Sequence, residues 1–273
     1  MKTPDNLEVF ASHGSDSYPD SLKPLIRTKF NERLIQNFSD WGTSELISDI
    51  PANQRLIPKH GRIAGDTNRS LNASDLFRET DFGGIQIFNK MPDETLKKKL
   101  LEESYIPYHR EAFSRLMAAH GNPNNSLLVV DIHDTGNLLL GETPDQDKYR
   151  LVAKGYNMPP LILSSQDGKT ASQAVVDNLV SAFENHFKLA SGDIRINDYY
   201  KGGYFTQRYG LPDTEIAEEL RNAKNPQRDV VQIELGRYLY MEEKTQMLNP
   251  NAIRHFREKL AIVLNEVSDG LRK

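Results

Sequence analysis

The sequence predicts an α/β fold, a three-layer α/β/α arrangement around a mixed, mostly parallel central sheet, with residues 1–273 forming one domain. Three observations carry this expectation. Two aliphatic runs, 127–136 (LLVVDIHDTG) and 229–235 (DVVQIEL), read as strands buried on both faces. Stretches of strand character alternate with helical periodicities along the chain. A chain of 273 residues, 38 % apolar and 26 % charged, has enough apolar surface for a sizeable core.

Taken in order, residues 7–12 (LEVFAS) read as a short strand that delivers His13 into the loop HGSDSYP. In 21–38 the apolar residues Leu22, Leu25, Ile26, Phe30, Leu34, Ile35 and Phe38 have helical spacing. Asp40 follows, either as the cap of a short helix or as a functional acid. Residues 61–72 form a polar stretch with Asp66, Asn68 and Arg69. The fork of Arg69 suits a carboxylate, and equally a surface ion pair. Residues 93–120 are helical, with a break at Pro107 just before His109, which is either aimed at a site or packed in the helix interface. The lysines at 97–99 form a solvated helix face. On the strand at 127–136, Asp131 and His133 point to one side. They read as a metal ligand with its orienting acid, as an acid/base pair, or as the start of a solvated turn.

Residues 141–168 are rich in Pro, Asp and Gly and contain one strand-like run, LILSS. Residues 170–187 are an amphipathic helix, and 193–197 a strand ending at Asn197. The stretch YYKGGYFT brings Lys201, Gly202, Gly203, Tyr204 and Thr206 together, as a pocket wall or simply a turn. Residues 211–228 are charged and lid-like. Glu234 is an acid inside an apolar strand, which requires a partner or a function. Asn249-Pro250 opens a last helix over 251–271.

The net charge of −4 gives no case for nucleic acid or an anionic membrane as partner. No run has the ~18 apolar residues of a membrane span, and no signal peptide opens the chain, so the cytoplasm is the expected location. With no cysteine, any transition metal must be held by His, Asp or Glu. The polar residues cluster at predicted strand ends, where ligands of open α/β sheets collect. Two histidines and a carboxylate fit a catalytic Zn²⁺ centre with an open position. Glu234, among apolar neighbours, fits a general base.

The segments SHGSDSYP, SDWGT, DTNR, PYHR, VVDIHD, NDYYKGGYFTQRYG and QIELGRYLYM, in this order, resemble the N-formylglutamate amidohydrolases of the zinc carboxypeptidase-like superfamily. The resemblance implies that His13 and His133 bind one zinc ion and that Glu234 is the general base. The third ligand is Asp16 or Asp40, and the family pattern favours Asp40. It implies further that Asn68 and Arg69 hold a substrate carboxylate and that Asp131 orients His133. Lys201, Gly202, Gly203, Tyr204 and Thr206 would line the substrate pocket, with Asn197 and His109 as further contributors. The implied reaction is hydrolysis of a small N-acyl amino acid, N-formyl-L-glutamate first. The alternatives are a peptidase or cell-wall amidase with the same site, or a metal- or amino-acid-binding protein without activity. Two departures lie beside the chemistry: His13-Gly14-Ser15 replaces the usual H-S-G, and Asp134 stands where a serine follows the second histidine.

Overall fold

The computed structural model describes residues 6–119, 126–142, 149–155, 157–190, 192–214, 216, 218–219 and 228–271. In chain order the main elements are β1 (Leu7–Phe10), α1 (Glu32–Phe38), α2 (Gly42–Leu46), β2 (Arg55–Leu56), α3 (Glu94–Leu100) and α4 (Ile106–Ala118). Then come β3 (Leu127–Thr135), β4 (Leu138–Glu142), β5 (Tyr149–Ala153), β6 (Leu161–Ser164), α5 (Gln173–Phe187) and β7 (Ile194–Ile196). The chain continues with α6 (Tyr204–Gly210), β8 (Arg228–Gly236), β9 (Met241–Glu242), β10 (Met247–Leu248) and α7 (Pro250–Gly270).

Six strands form the central sheet in the order β2-β1-β3-β8-β6-β7. All neighbours run parallel except β6 against β8, so the sheet is mixed and mostly parallel, as the sequence predicts. Strand alternation divides the residues between two layers. Leu128, Val130 and Ile132 of β3, with Val231, Ile233 and Leu235 of β8, pack under α5 and α7. Leu127, Val129 and Val230 face the other way, against Tyr108 and Leu116 of α4 and Phe205 and Tyr209 of α6. On that second face the apolar residues stop half-way along the strands. Asp131, His133, Gln232 and Glu234 take over, all buried. A smaller core joins α1 to Ile85, Ile87 and Phe88, to Leu100 of α3 and to Leu140 of β4.

Three elements differ from the sequence reading. The helix expected over 21–38 forms only at α1, capped by Asn31 accepting from Leu34 N. Pro24 has no N–H to continue the first turn, and the chain instead bonds sideways, Arg27 N to Ile87 O at 2.9 Å. The break at Pro107 is resolved by a π-helical turn, Leu101–Tyr105, which lets α4 restart with Pro107 in its first turn. The stretch 141–168 contains β5 as well as β6; β5 pairs with β4, which begins at Leu138, in a hairpin that the Pro, Asp and Gly content concealed. The last helix follows the prediction, with Asn249 Oδ1 accepting from Asn251 N and Ala252 N. Residues 215, 217 and 220–227 of the expected lid lie outside the described residues. No described helix is long and apolar enough to cross a membrane.

Glu8 is a cost built into this sheet. On β1 it faces α4, and burial pushes its carboxyl up to about 7, with Arg115 opposing and Glu111 adding. The folded-state pKa therefore exceeds the ordinary 4.5, so ionisation opposes folding as pH rises from 4.5 to about 7 and by a constant amount above that. Glu8→Gln is expected to match the wild type at pH 4 and exceed it at pH 8 by up to about 3 kcal/mol in urea unfolding. A difference independent of pH would contradict this.

Candidate metal centre

His13 leaves the end of β1, His133 lies on β3 near its end, and Asp40 lies between α1 and α2. All three side chains are buried. Asp40 Oδ2 is the point on which they converge, 3.3 Å from His13 Nδ1 and 2.8 Å from His133 Nδ1. One ligand atom from each of the three lies within 4.8 Å of the others, a group that could hold a metal ion. The far nitrogen of each ring faces its own acid: His13 Nε2 is 2.6 Å from Asp66 Oδ1, and His133 Nε2 is 2.9 Å from Asp131 Oδ2. With the rings neutral, such acids can accept the Nε2–H and leave each Nδ1 lone pair facing inward, the tautomer a metal requires. Asp131 is itself fixed by Ser12, whose N and Oγ donate to Oδ1 at 3.1 and 2.9 Å. Arg62 stands beside this group, donating to His13 Nδ1 and lying 3.5 Å from Asp40 Oδ1.

The charges hold one another in place. Burial alone would raise the pKa of Asp40, but Arg62 and hydrogen bonds from both histidines hold it well below the usual range. Burial likewise opposes ionisation of Asp66, and His13 and Arg62 outweigh it. Burial would keep His133 neutral, yet Asp131 and Asp40 push its pKa well up. Glu234 is different. In parallel register it sits directly beside His133, and burial, reinforced by Asp40 and Asp134, raises it to about 8 against the pull of His133. A divalent cation nearby would bring that value back down.

These groups line a cavity of about 410 Å³, a size that fits a small molecule. Its wall carries Arg62, Arg69, Lys154, Lys201 and Arg237 against Asp40, Asp134 and Glu234, so cations outnumber carboxylates. Gln232 spans the wall, accepting from Gly203 N at 2.6 Å and donating to Glu234 Oε1 at 2.9 Å. Asn68 Oδ1 accepts from Phe205 N at 2.8 Å. A Cβ on Gly203 would lie 2.2 Å from Asn68 Nδ2, so only glycine lets the two loops close this far.

A family model for N-formylglutamate amidohydrolase matches residues 9–241. The chain belongs to the N-formylglutamate amidohydrolase family. Family membership supports an amidohydrolase function for this member. No curated protein matches it significantly in sequence. Among solved structures it is similar to an N-formylglutamate amidohydrolase from Ralstonia eutropha JMP134, with TM-score 0.74 and 18 % identity over 98 % of this chain and 94 % of that one. It is also similar to a gene product of Agrobacterium tumefaciens, with TM-score 0.60 and 16 % identity over 99 % and 93 %. At such identities the likeness shows the fold.

Within this family member, the residues singled out in sequence divide in two. His13, Asp40, Asn68, Arg69, His133, Lys201, Gly202, Gly203 and Glu234 all line the cavity. Asp16 does not; it accepts a hydrogen bond from Gln36 Nε2 at 3.3 Å, which leaves Asp40 as the acid of the group. Asp40 caps no helix with its side chain. Arg69 lines the wall while paired to Asp75 at 2.8 Å.

His109, Asn197, Tyr204 and Thr206 are absent from the cavity wall. His109 is a brace, with Tyr209 OH at 2.9 Å and Thr67 O at 3.0 Å, and burial lowers its pKa to about 3, keeping it neutral. Asn197 Oδ1 accepts from Ser165 N at 2.8 Å and shapes the loop behind the site. The Tyr204 hydroxyl accepts from Arg208, and Thr206 is packed out of contact with solvent. Asp134 is taken up by Arg237, whose Nε donates to it at 2.8 Å, and by the Tyr240 hydroxyl.

Arg62, the role of Asp66, Gln232 and Arg237 were not legible as site features. Of these only Arg62 falls outside the quoted motifs; Asp66 lies in DTNR, and Gln232 and Arg237 lie in QIELGRYLYM. Asp66→Asn and Asp131→Asn are each expected to weaken zinc binding by about 10–100-fold in chelator competition. Wild-type affinity in both would contradict the pairing of each acid with its histidine.

Proposed function

We propose that this family member is a zinc-dependent amidohydrolase that hydrolyses the amide of a small N-acyl acidic amino acid, N-formyl-L-glutamate first, to formate and L-glutamate. One observation carries the reading: the buried His13–Asp40–His133 group lies beside Glu234 in the register of β3 and β8, within a cationic cavity. His13, Asp40 and His133 are the residues that hold the ion. When bound, zinc supplies Lewis acidity toward the acyl oxygen and lowers the pKa of water.

The chain's own residues account for the rest. Glu234, its Oε1 held by Gln232, takes a proton from the attacking water and returns it to the nitrogen of the departing glutamate. Arg62, beside His13 and Asp40, offsets the negative charge that develops on the acyl oxygen. Asn68 and Arg69 meet the α-carboxylate, so binding far from the broken bond sets orientation. The cavity volume of about 410 Å³ is of a size that suits a small substrate.

A formate-release assay across N-formyl, N-acetyl and N-succinyl amino acids tests the assignment, with N-formyl-L-glutamate expected to be best. Glu234→Gln is expected to lower kcat by roughly 10³-fold or more with the zinc content intact. Undiminished turnover in that variant would overturn the role of Glu234. Zinc binding without turnover of any acyl amino acid would favour a binding protein.

A further inference from the structure

The cavity cations are not equally engaged. Arg237 is paired with Asp134 and also donates to Asn37 Oδ1 at 3.2 Å. Arg62 is engaged by His13 and Asp40. Arg69 donates to Asp75 and to Asn68 O. Lys201, at the exposed rim, is paired with Asp167 at 2.9 Å. Lys154 differs from these. Its Nζ donates to a neutral partner, Thr135 Oγ1, at 3.0 Å, and no carboxylate of the described residues lies within ion-pair distance. Among the described residues this half-buried ammonium has lost hydration without a paired carboxylate in return; Glu234, Glu243 and Asp40 attract it only from beyond ion-pair distance.

We infer that Lys154 is the residue that selects an acidic substrate, its ammonium binding the side-chain carboxylate of the acyl amino acid while Arg69 meets the α-carboxylate. This rests on the reading of the cavity as an acyl amino acid site.

The position fits. Thr135 lies two residues past His133 on the same face of β3, a spacing of about 7 Å. An extended glutamate side chain carries its carboxylate roughly 6 Å from the acyl carbon. A substrate with its acyl group at the His13–Asp40–His133 group therefore reaches Lys154 with its far carboxylate. The hairpin that brings Lys154 there is fixed. Lys154 N donates to Asn137 O at 3.0 Å, Asn137 Nδ2 donates to Glu243 Oε2 at 3.2 Å, and Asn137 Oδ1 accepts from Met158 N at 2.6 Å. The Thr135 hydroxyl also lies 3.2 Å from the Tyr200 hydroxyl, which ties Lys154 to the loop of Lys201–Gly203. Burial and the nearby Arg237 lower the Lys154 pKa against the weaker pull of Glu234, Glu243 and Asp40, a tendency that an arriving carboxylate reverses.

N-formyl-L-glutamate and N-formyl-L-glutamine have nearly the same shape and differ in charge, so their kcat/KM ratio reads this contact. In the zinc-loaded wild type the acid is expected to be preferred. Lys154→Met is expected to cut that preference at least about tenfold through KM, and Lys154→Arg to keep most of it. Equal losses on both substrates would make Lys154 a brace of the hairpin and overturn the proposal, as would a wild type with no preference. If the wild type hydrolyses neither, the proposed reaction fails, and Lys154 is read separately by calorimetry with glutarate. Binding weakened at least tenfold by Lys154→Met supports the contact, and unchanged binding overturns it.

Discussion

The structure depends on balancing a buried excess of negative charge. Asp40, Asp66, Asp131, Asp134 and Glu234 are all buried around one cavity end, and the guanidiniums buried with them are Arg62 and Arg237. Glu234 relieves part of the excess by keeping its proton up to about pH 8. The four remaining acids still outnumber the two arginines by two charges. Histidine protonation is one way to supply these, and the upward push on His133 follows from that need. A divalent cation supplies the same two charges on one point, faced by the atoms that already converge on Asp40 Oδ2. Metal binding and proton release are then one linked event.

The sheet makes this arrangement possible. β1, β3 and β8 run parallel, so their carboxyl ends come out together. On the face toward α4 and α6, β3 passes from Leu127 and Val129 to Asp131 and His133, and β8 from Val230 to Gln232 and Glu234. The apolar halves seat the helices, and the polar halves are covered by the loops carrying Asp66, Asn68 and Gly203. Those loops are tied to the strand residues themselves, through Gln232 and through Thr67 Oγ1 donating to Ser12 O at 2.6 Å. Fold and site are held by the same contacts.

Much of this was legible in the sequence. The aliphatic runs gave β3 and β8, and the composition of donors, with no cysteine, limited a metal to His and carboxylate. His13, His133 and Glu234 stood out because a charged group at the end of an apolar strand has few structural reasons to be there. Asp40 became preferable to Asp16 only through family resemblance, and the geometry agrees. What stayed hidden depends on contacts distant in the chain. Arg62 reads as an ordinary loop residue until His13 and Asp40 close on it. His109 and Asn197 lie in recognisable motifs, yet their side chains brace the fold behind the cavity. The hairpin bearing Lys154 was masked by its turn residues, so the one cavity cation with only a neutral partner among the described residues was not singled out.

The central claim is that the buried excess of acid is completed by a metal ion on His13, Asp40 and His133. Anomalous diffraction at the zinc edge from crystals of the zinc-loaded protein tests it most directly. The expected result is one peak about 2.0–2.2 Å from a nitrogen of each histidine and an oxygen of Asp40. A map with no peak there, or with the ion on Asp16, would contradict the account.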